Sequence, residues 1–309
     1  FVFKFTQRKL GPIGLSPKPE KLQQKKFGIS KDILFHLGTL LFIPFFWVMV
    51  YYPFDIDMTW LFGATVNADG STAPYMVGFS DVFMISIAVF ILIYLVITLI
   101  KVSKEEFGKM FVAIVLILFS VLFFSFFEQG GGSLNFYAVG NVESHGLNMT
   151  MINNSMNSFW VICFAPILGA LWIFLSKKKR EPNTIIKFSM GFIFLGLGFL
   201  IFFLGRSFAT PAGFAPLWSF AFAYLVITVG ELCLSPIGLS MVTRLTPTRL
   251  HGVMMGTWFL ASAYGQYGAG LIGSMLAKAD TTAGTNPSNW DKLVQYTDGY
   301  QSIAYVAIG

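Results

Sequence analysis

Seven apolar stretches, each long enough to cross a bilayer, constrain the fold of this chain more than any other feature. A helix needs about 20 apolar residues to cross roughly 30 Å of hydrocarbon. The stretches that meet this length are 33–52, 82–100, 111–127, 159–176, 188–204, 217–242 and 253–276. An eighth stretch begins near Tyr300, and residues 1–5 are predicted to be the last turn of another helix. We therefore expect a piece of a longer, all-helical membrane protein.

The composition agrees with a lipid environment. Hydrophobic residues make up 55% of the chain and charged residues 12%, and the mean hydropathy is +0.68. This balance leaves too little polar surface for a soluble globule. All but three of the 21 lysine and arginine residues lie in alternate loops, the exceptions being Arg206, Lys278 and Lys292. The positive-inside rule places those alternate loops, and the start of the chain, in the cytoplasm. Because the basic residues are distributed over these loops, they do not indicate a nucleic-acid partner.

One acidic residue, Glu231, lies near the middle of the sixth stretch. An ionised carboxylate at that depth costs at least ~2.5 kcal/mol, so we expect it to face a cavity, a partner or a ligand. Residues three or four apart share a helix face. Tyr224, Thr228, Ser235 and Gly238 therefore lie on the face of Glu231, and together they predict the wall of an aqueous pocket. The alternative is a structural glutamate bonded to a neighbouring helix.

A second acid, Glu128, directly follows the third stretch and precedes three glycines, Gly130 to Gly132. Consecutive glycines weaken helix propensity, so we predict an unwound or hinged segment beside this acid. The alternative is that Glu128 is the polar end of a span that terminates in an outer loop. Two acids within the membrane, on separate helices, favour a shared aqueous site.

Other polar residues accompany these acids. Trp258, Ser262 and Gln266 align on one face of the seventh stretch, and Asn157 precedes the fourth as either a hydrogen-bonding group or an N-cap. Two short segments, at Asn148 and Asn153, match the glycosylation acceptor motif, to which we give no weight because such matches are commonly accidental.

Signatures of an enzyme are missing from the sequence. His36, His145 and His251 lie on different segments without metal-site spacing, and neither a nucleophile elbow nor a phosphate-binding loop is present. Cys163 and Cys233 lie in apolar spans, where we predict small buried side chains with no disulfide or metal role. We therefore expect no catalytic activity, no cofactor and no metal. A secondary transporter with acid-linked coupling is favoured, and a channel, a lipid-handling enzyme or a structural subunit are the alternatives.

Four motifs resemble the proton-dependent oligopeptide transporter (POT/PTR) family of the major facilitator superfamily. The segment GELCLSPIGLSMVTRLTP, from Gly230, resembles the tenth helix of that family. The segment FSFFEQGGGSLNFYA, from Phe124, resembles the seventh helix of the family, and MNSFWVICFAPILGALW, from Met156, resembles the eighth. The segment GVMMGTWFLASAYGQYGAG, from Gly252, resembles the eleventh. The tract FKFTQRKLGPIGLSP is similar to the exit of the sixth helix, and the first two spans match an extra hairpin of bacterial members.

The resemblance implies an all-α integral membrane fold, namely the C-terminal six-helix bundle of the superfamily preceded by a transmembrane hairpin. Residues 1–30 are then the end of the sixth helix and a basic linker, and residues 31–108 are the hairpin. Residues 109–309 are helices seven to eleven and the start of helix twelve. We expect the hairpin to pack peripherally, outside the transport pathway.

The resemblance also implies site residues. Glu231 matches the acid that faces the ammonium group of the peptide, Asn157 the amide that binds its backbone, and Glu128 the acid of proton coupling. Further pocket residues are implied at Trp258, Ser262, Ser235 and Phe124, the last at a position where several relatives have tryptophan. The chain departs from the family at Ser158, since relatives often have proline after the asparagine.

The function implied is a proton-coupled symporter that imports di- and tripeptides by alternating access in a bacterial inner membrane. This chain is then its second half, and its partners are the peptide, protons, the lipid bilayer and an N-terminal helix bundle that precedes Phe1. The alternatives are another proton-coupled major facilitator, such as a drug exporter, and a membrane subunit without transport activity.

Overall fold

The computed structural model describes residues 23–26, 28–52, 54–66, 71–278 and 287–309. The helix turn predicted at residues 1–5 lies outside the described residues. By its internal contacts the chain divides into two compact units, residues 1–94 and residues 95–309.

The first unit contains two long helices and short strands. In chain order its elements are β1 (Lys25–Lys26), β2 (Ile29–Ser30), α1 (Lys31–Tyr51), β3 (Asp55–Asp57), α2 (Thr59–Phe62), β4 (Thr65–Val66), β5 (Thr72–Ala73), β6 (Met76–Gly78) and α3 (Phe79–Lys101), the last of which continues into the second unit. The strands pair antiparallel as β1 with β2, β3 with β6 and β4 with β5. These short strands were not expected from the pattern of apolar stretches.

The two long helices of the first unit contact each other through aromatic side chains. Phe83 of α3 lies 5.2 Å from Phe45 and 6.2 Å from Phe46 of α1, measured between ring centroids. Most other side chains of α1 are exposed, as expected for a helix that meets lipid. The first two predicted spans are therefore confirmed as helices that contact each other, and their assignment to a peripheral hairpin stays a prediction.

The second unit is a bundle of helices. Its elements are α4 (Lys104–Phe127), a 3-10 turn (Glu128–Gly131), α5 (Ser133–Asn141), α6 (Met149–Lys177), α7 (Thr184–Gly205), a 3-10 turn (Arg206–Phe208), α8 (Leu217–Leu245), a 3-10 turn (Thr248–Leu250), α9 (His251–Lys278) and α10 (Asn289–Ile308).

Polar caps decide where several helices of the bundle begin. Ser103 and Glu106 form a capping box at α4, and Asn183 accepts a hydrogen bond from the backbone N–H of Ile186 at α7. Asn148 caps α6 in the same way through the N–H of Met151, at 3.1 Å. Such a cap contributes about 1 kcal/mol, because it satisfies a backbone donor that has no partner within the helix.

Two helices begin earlier than the hydropathy of the sequence predicts. The span predicted at 159–176 is a helix that starts at Met149, so Asn157 lies inside it and the prediction that Asn157 is an N-cap is wrong. The last helix was predicted near Tyr300 and starts at Asn289, after a capping box of Ser288 and Asp291. Polar residues near the start of each helix, such as Asn153 and Asn154 in α6 and Asp291 and Lys292 in α10, interrupt the apolar run that hydropathy detects.

Six described helical segments are long and apolar enough to cross a membrane, judged by length and composition alone. They are Lys31–Met49, Phe79–Lys101, Lys104–Asn141, Met149–Lys177, Thr184–Phe208 and Leu217–Leu245. Six of the seven predicted spans meet this criterion. The seventh, α9, is a continuous helix of 28 residues, but it is not one of the six. Small and polar residues such as Gly265, Gln266 and Gly268 lower its hydropathy.

Glycines allow the helices of the bundle to approach closely. A Cβ atom on Gly230 of α8 would lie 2.7 Å from the carbonyl oxygen of Gly191 on α7, and one on Gly265 of α9 would overlap Phe124 of α4. Small residues serve the same purpose in other membrane bundles, where packing replaces the hydrophobic effect. Cys233 is buried in this packing as predicted, whereas Cys163 is exposed because α6 turns most of its apolar surface outward.

The segment between α6 and α7 is predicted to be cytoplasmic. It carries an ion pair in which Lys187 donates to Glu181 at 2.5 Å, and this hydrogen bond lowers the pKa of Glu181 below its ordinary value. Lys187 also lies over the ring of Trp172, at 4.4 Å from its centroid. The Lys187 side chain is 9% exposed and that of Glu181 is 36% exposed, so the pair is partly buried where α7 begins.

Cysteine labelling tests this orientation. We expect Lys178→Cys to react with a membrane-impermeant maleimide only after the cells are permeabilised, in full-length protein whose Cys163 and Cys233 are replaced by serine. Ser144→Cys is the matched control, because Ser144 is exposed in the loop predicted on the other side. Reaction at position 178 in intact cells would overturn the topology.

Candidate functional site

Glu231 and Asn157, both predicted site residues, meet in the structure. Asn157 of α6 donates from Nδ2 to Oε2 of Glu231 on α8, at 2.9 Å, and its Nδ2 also lies 3.4 Å from Oγ1 of Thr228. Among the described residues, none of the ion pairs includes Glu231. Its side chain is partly exposed. The hydrogen bond to a neighbouring helix fits the alternative of a structural glutamate, and the partial exposure fits a ligand-binding one, so the role of Glu231 stays a prediction.

A second set of hydrogen bonds joins the same two helices to the glycine turn. Tyr224 of α8 donates its hydroxyl to Oδ1 of Asn153 on α6, at 2.5 Å. Nδ2 of Asn153 donates to the carbonyl oxygen of Gly130, at 2.7 Å. Asn153 is 3% exposed, so it is not a glycosylation acceptor. The sequence analysis did not assign Asn153 to the site, although its spacing of four from Asn157 places both on one helix face.

Glu128 is the first residue of the 3-10 turn that separates α4 from α5. The predicted departure from α-helix at the glycines is confirmed. The alternative, in which Glu128 ends a span before an outer loop, is wrong because helix resumes at Ser133. Gln129 is fully buried and anchors the turn to α9 by donating from Nε2 to the carbonyl oxygen of Ala269, at 3.1 Å. Oε1 of Gln129 accepts a hydrogen bond from Ser133, at 2.7 Å.

Two cavities adjoin this turn, and Glu128 lines both of them. The first has a volume of about 200 Å³ and is lined by Phe127, Glu128, Gly130, Gly131, Asn153, Asn154, Asn157, Tyr224 and Ile227. The second has a volume of about 260 Å³ and is lined by Glu128, Gly131, Gly132, Gln266, Ala269 and Gly270. Glu128 and Glu231 are close enough for their charges to interact. The structure thus brings the two predicted acids and Asn157 into one polar region.

Glu231 itself lines neither cavity and reaches the first one through its hydrogen bond with Asn157, and the other predicted pocket residues do not line the two cavities either. Phe124 and Trp258 are buried, with exposed fractions of 9% and 6%. The Trp258 ring packs so closely on Gly238 of α8 that a Cβ atom there would overlap it. Ser235 and Ser262 are partly exposed on α8 and α9. Their roles in binding remain predictions.

Comparison with known sequences finds transporters. A model of the POT family matches residues 74–290. Dipeptide and tripeptide permease B of Aliivibrio fischeri is 34% identical over 208 residues, which cover 66% of this chain and 41% of that protein. The peptide transporter YePEPT of Yersinia enterocolitica is 34% identical over 213 residues, covering 67% of this chain and 41% of that protein. The chain therefore spans about two fifths of the length of these relatives.

Comparison with solved structures confirms the fold. A crystal structure of a POT family transporter in complex with 5-aminolevulinic acid matches with a TM-score of 0.67 and 22% identity, covering 99% of this chain and 57% of that one. A structure of the peptide transporter POT in complex with sulfate matches over the same shares with a TM-score of 0.61 and 22% identity. The predicted helical membrane fold of the major facilitator superfamily is thus confirmed, with the short strands of the first unit as an addition.

Proposed function

Because the chain belongs to the POT family of peptide transporters, we propose that it forms the second half of a proton-coupled symporter for di- and tripeptides. The chain covers two fifths of its relatives, so an N-terminal helix bundle is the partner that completes the transport pathway. The two bundles rock about a site between them and open it alternately to each side. We place the protein in a bacterial inner membrane, with the start of this chain in the cytoplasm.

The carboxylate of Glu231, which takes part in none of the ion pairs among the described residues, carries this proposal. A peptide brings a cationic ammonium group, and a partly desolvated carboxylate attracts it more strongly than the same group in water. The hydrogen bond from Asn157 orients the carboxylate without neutralising it. Oδ1 of Asn157 remains an acceptor for a backbone N–H of the peptide. We assign the amino terminus of the substrate to Glu231 and the adjacent peptide bond to Asn157.

The remaining pocket residues are assigned to the rest of the peptide. Trp258 and Phe124 are buried, so in this proposal they shape the wall of the pocket and make no polar contact with the peptide. Ser235 and Ser262 are partly exposed hydroxyls that can bind a backbone group. The hairpin, residues 31–108, lies outside the pathway in this proposal.

Glu128 is the proton-coupling residue in this proposal. It lines both cavities, and its charge acts on Glu231, so protonation of Glu128 changes the field at the peptide site. One inward elementary charge at ~100 mV contributes about 2.3 kcal/mol. That free energy corresponds to an accumulation of roughly fifty-fold.

Transport by the full-length protein in proteoliposomes tests this function. We expect labelled dialanine to accumulate against its gradient, toward a limit of roughly fifty-fold at ~100 mV, only while an inward proton gradient is present. A protonophore should abolish the accumulation. A drug exporter would instead expel a cationic dye under the same gradient, and a membrane subunit without transport activity would take up no peptide.

A further inference from the structure

The turn that carries Glu128 is built from residues that do not hold a conformation by themselves. Gly130, Gly131 and Gly132 follow one another, and glycine loses more conformational freedom on folding than any other residue. Gly132 has φ −117° and ψ −115°, outside the helical region. The position of Glu128 therefore depends on side chains from other helices that hold the turn.

Two buried amides hold the turn from opposite sides. Gln129 joins it to α9 through the carbonyl oxygen of Ala269, and Asn153 joins it to α6 through the carbonyl oxygen of Gly130. Gln129 is 0% exposed and Asn153 is 3% exposed, so water does not replace these bonds readily. Of the two, Asn153 lines the cavity that also contains Asn157.

The amide of Asn153 has one orientation that satisfies its neighbours. Its oxygen accepts from the Tyr224 hydroxyl and its nitrogen donates to Gly130. A flipped amide would lose the bond to Gly130, because two carbonyl oxygens would then face each other. Tyr224 is itself held by ring contacts with Phe202 and Phe220, at centroid distances of 5.9 and 5.0 Å. Its hydroxyl also lies 3.2 Å from the position that a Cβ atom on Gly130 would take.

We propose that Asn153, oriented by Tyr224, is a positioning residue that fixes the 3-10 turn and so the place of the Glu128 carboxylate between the two cavities. The proposal rests on the proposed function, because it gives this turn its role in proton coupling. In this proposal Tyr224 and Asn153 act through Glu128.

The groups that face Glu128 come from three helices. Of the residues that line its two cavities, α8 contributes the titratable side chain of Tyr224, and α6 and α9 contribute uncharged amides at Asn153, Asn154, Asn157 and Gln266. Glu231 on α8 is the charged group that acts on Glu128. A displaced turn changes the distance between Glu128 and Glu231, and therefore the repulsion between their charges.

The experiment compares three variants of the full-length protein. Tyr224→Phe removes one hydroxyl and keeps the ring contacts, and Asn153→Leu removes both bonds at similar volume. Trp160→Phe is the matched control. Trp160 donates to the carbonyl oxygen of Ala221 at 3.1 Å, so this substitution also removes a hydrogen bond between α6 and α8, but one away from the turn. Purified amounts and melting temperatures identify any variant that fails to fold.

The first readout is independent of transport. Difference infrared spectra between each protein and its Glu128→Gln counterpart isolate the protonated carboxyl band of Glu128 as a function of pH. We expect the midpoint of this titration to shift by about one pH unit in Tyr224→Phe and Asn153→Leu, which is a roughly ten-fold change in proton affinity. Trp160→Phe should leave the midpoint in place. Unchanged midpoints in folded Tyr224→Phe and Asn153→Leu would overturn the proposal, as would an equal shift in Trp160→Phe.

The second readout measures proton-driven uptake against gradient-independent exchange of dialanine. We expect driven uptake to fall roughly ten-fold in Tyr224→Phe, and exchange to fall clearly less than driven uptake. An equal fall in uptake and exchange indicates a merely structural role and contradicts the proposal. If the wild type does not transport dialanine, the proposed function fails, and the infrared titration still decides whether Asn153 and Tyr224 position Glu128.

Discussion

Glu231→Gln is expected to weaken the binding of a free dipeptide by roughly thirty-fold or more. The substitution keeps the shape of the side chain and its hydrogen bond from Asn157, but it removes the charge that faces the ammonium group. Loss of one member of a desolvated charge pair typically costs about 2–5 kcal/mol, and the lower value corresponds to roughly thirty-fold in affinity. Binding to full-length protein, measured by calorimetry at one pH and salt concentration, gives this ratio directly.

Comparison with an N-acetylated dipeptide identifies which group of the peptide Glu231 binds. The acetylated ligand lacks the ammonium, so it should bind weakly to the wild type and lose little more in Glu231→Gln. Glu143→Gln is a control of equal charge change, since Glu143 lies in the segment after α5, where it pairs with His145 at 3.5 Å. Equal losses of affinity for the free and acetylated peptides would show that Glu231 supports the bundle and does not bind the amino terminus.

Glu128→Gln is expected to abolish accumulation while leaving exchange. Without an exchangeable proton at this position, the gradient cannot act on the transport cycle, so the internal concentration should fall from a limit of roughly fifty-fold to the external value. Exchange of labelled for unlabelled dialanine needs no net proton movement and should remain measurable. Both quantities are obtained from the same proteoliposomes, with and without an inward proton gradient.

The control for this prediction is again Glu143→Gln, which should accumulate peptide as the wild type does. Accumulation by Glu128→Gln at the level of the wild type would assign proton coupling to another residue. Loss of both exchange and accumulation in a folded Glu128→Gln protein would place Glu128 in peptide binding, together with Glu231.

Hydropathy predicted the helices well where they are apolar throughout and poorly where they begin with polar residues. The helix α7 was expected at 188–204 and extends over Thr184–Gly205. By contrast, α6 and α10 each begin about ten residues before their predicted starts, at Met149 and Asn289. Their first turns are stabilised by caps and by packing against other helices. A window of hydropathy does not measure either contribution.

The sequence by itself determined which segments enter the lipid and which acids lie within them. Both follow from local composition, because the transfer free energy of a helix is nearly a sum over about 20 neighbouring residues. The tertiary structure alone decided which groups these acids meet. Asn157 and Glu231 are 74 residues apart, and Asn153 and Gly130 are 23 apart, yet each pair forms a hydrogen bond. The packing of α6 against α8 and against the glycine turn determines these hydrogen-bond partners. That packing depends on the shapes of whole helix faces and not on any one segment.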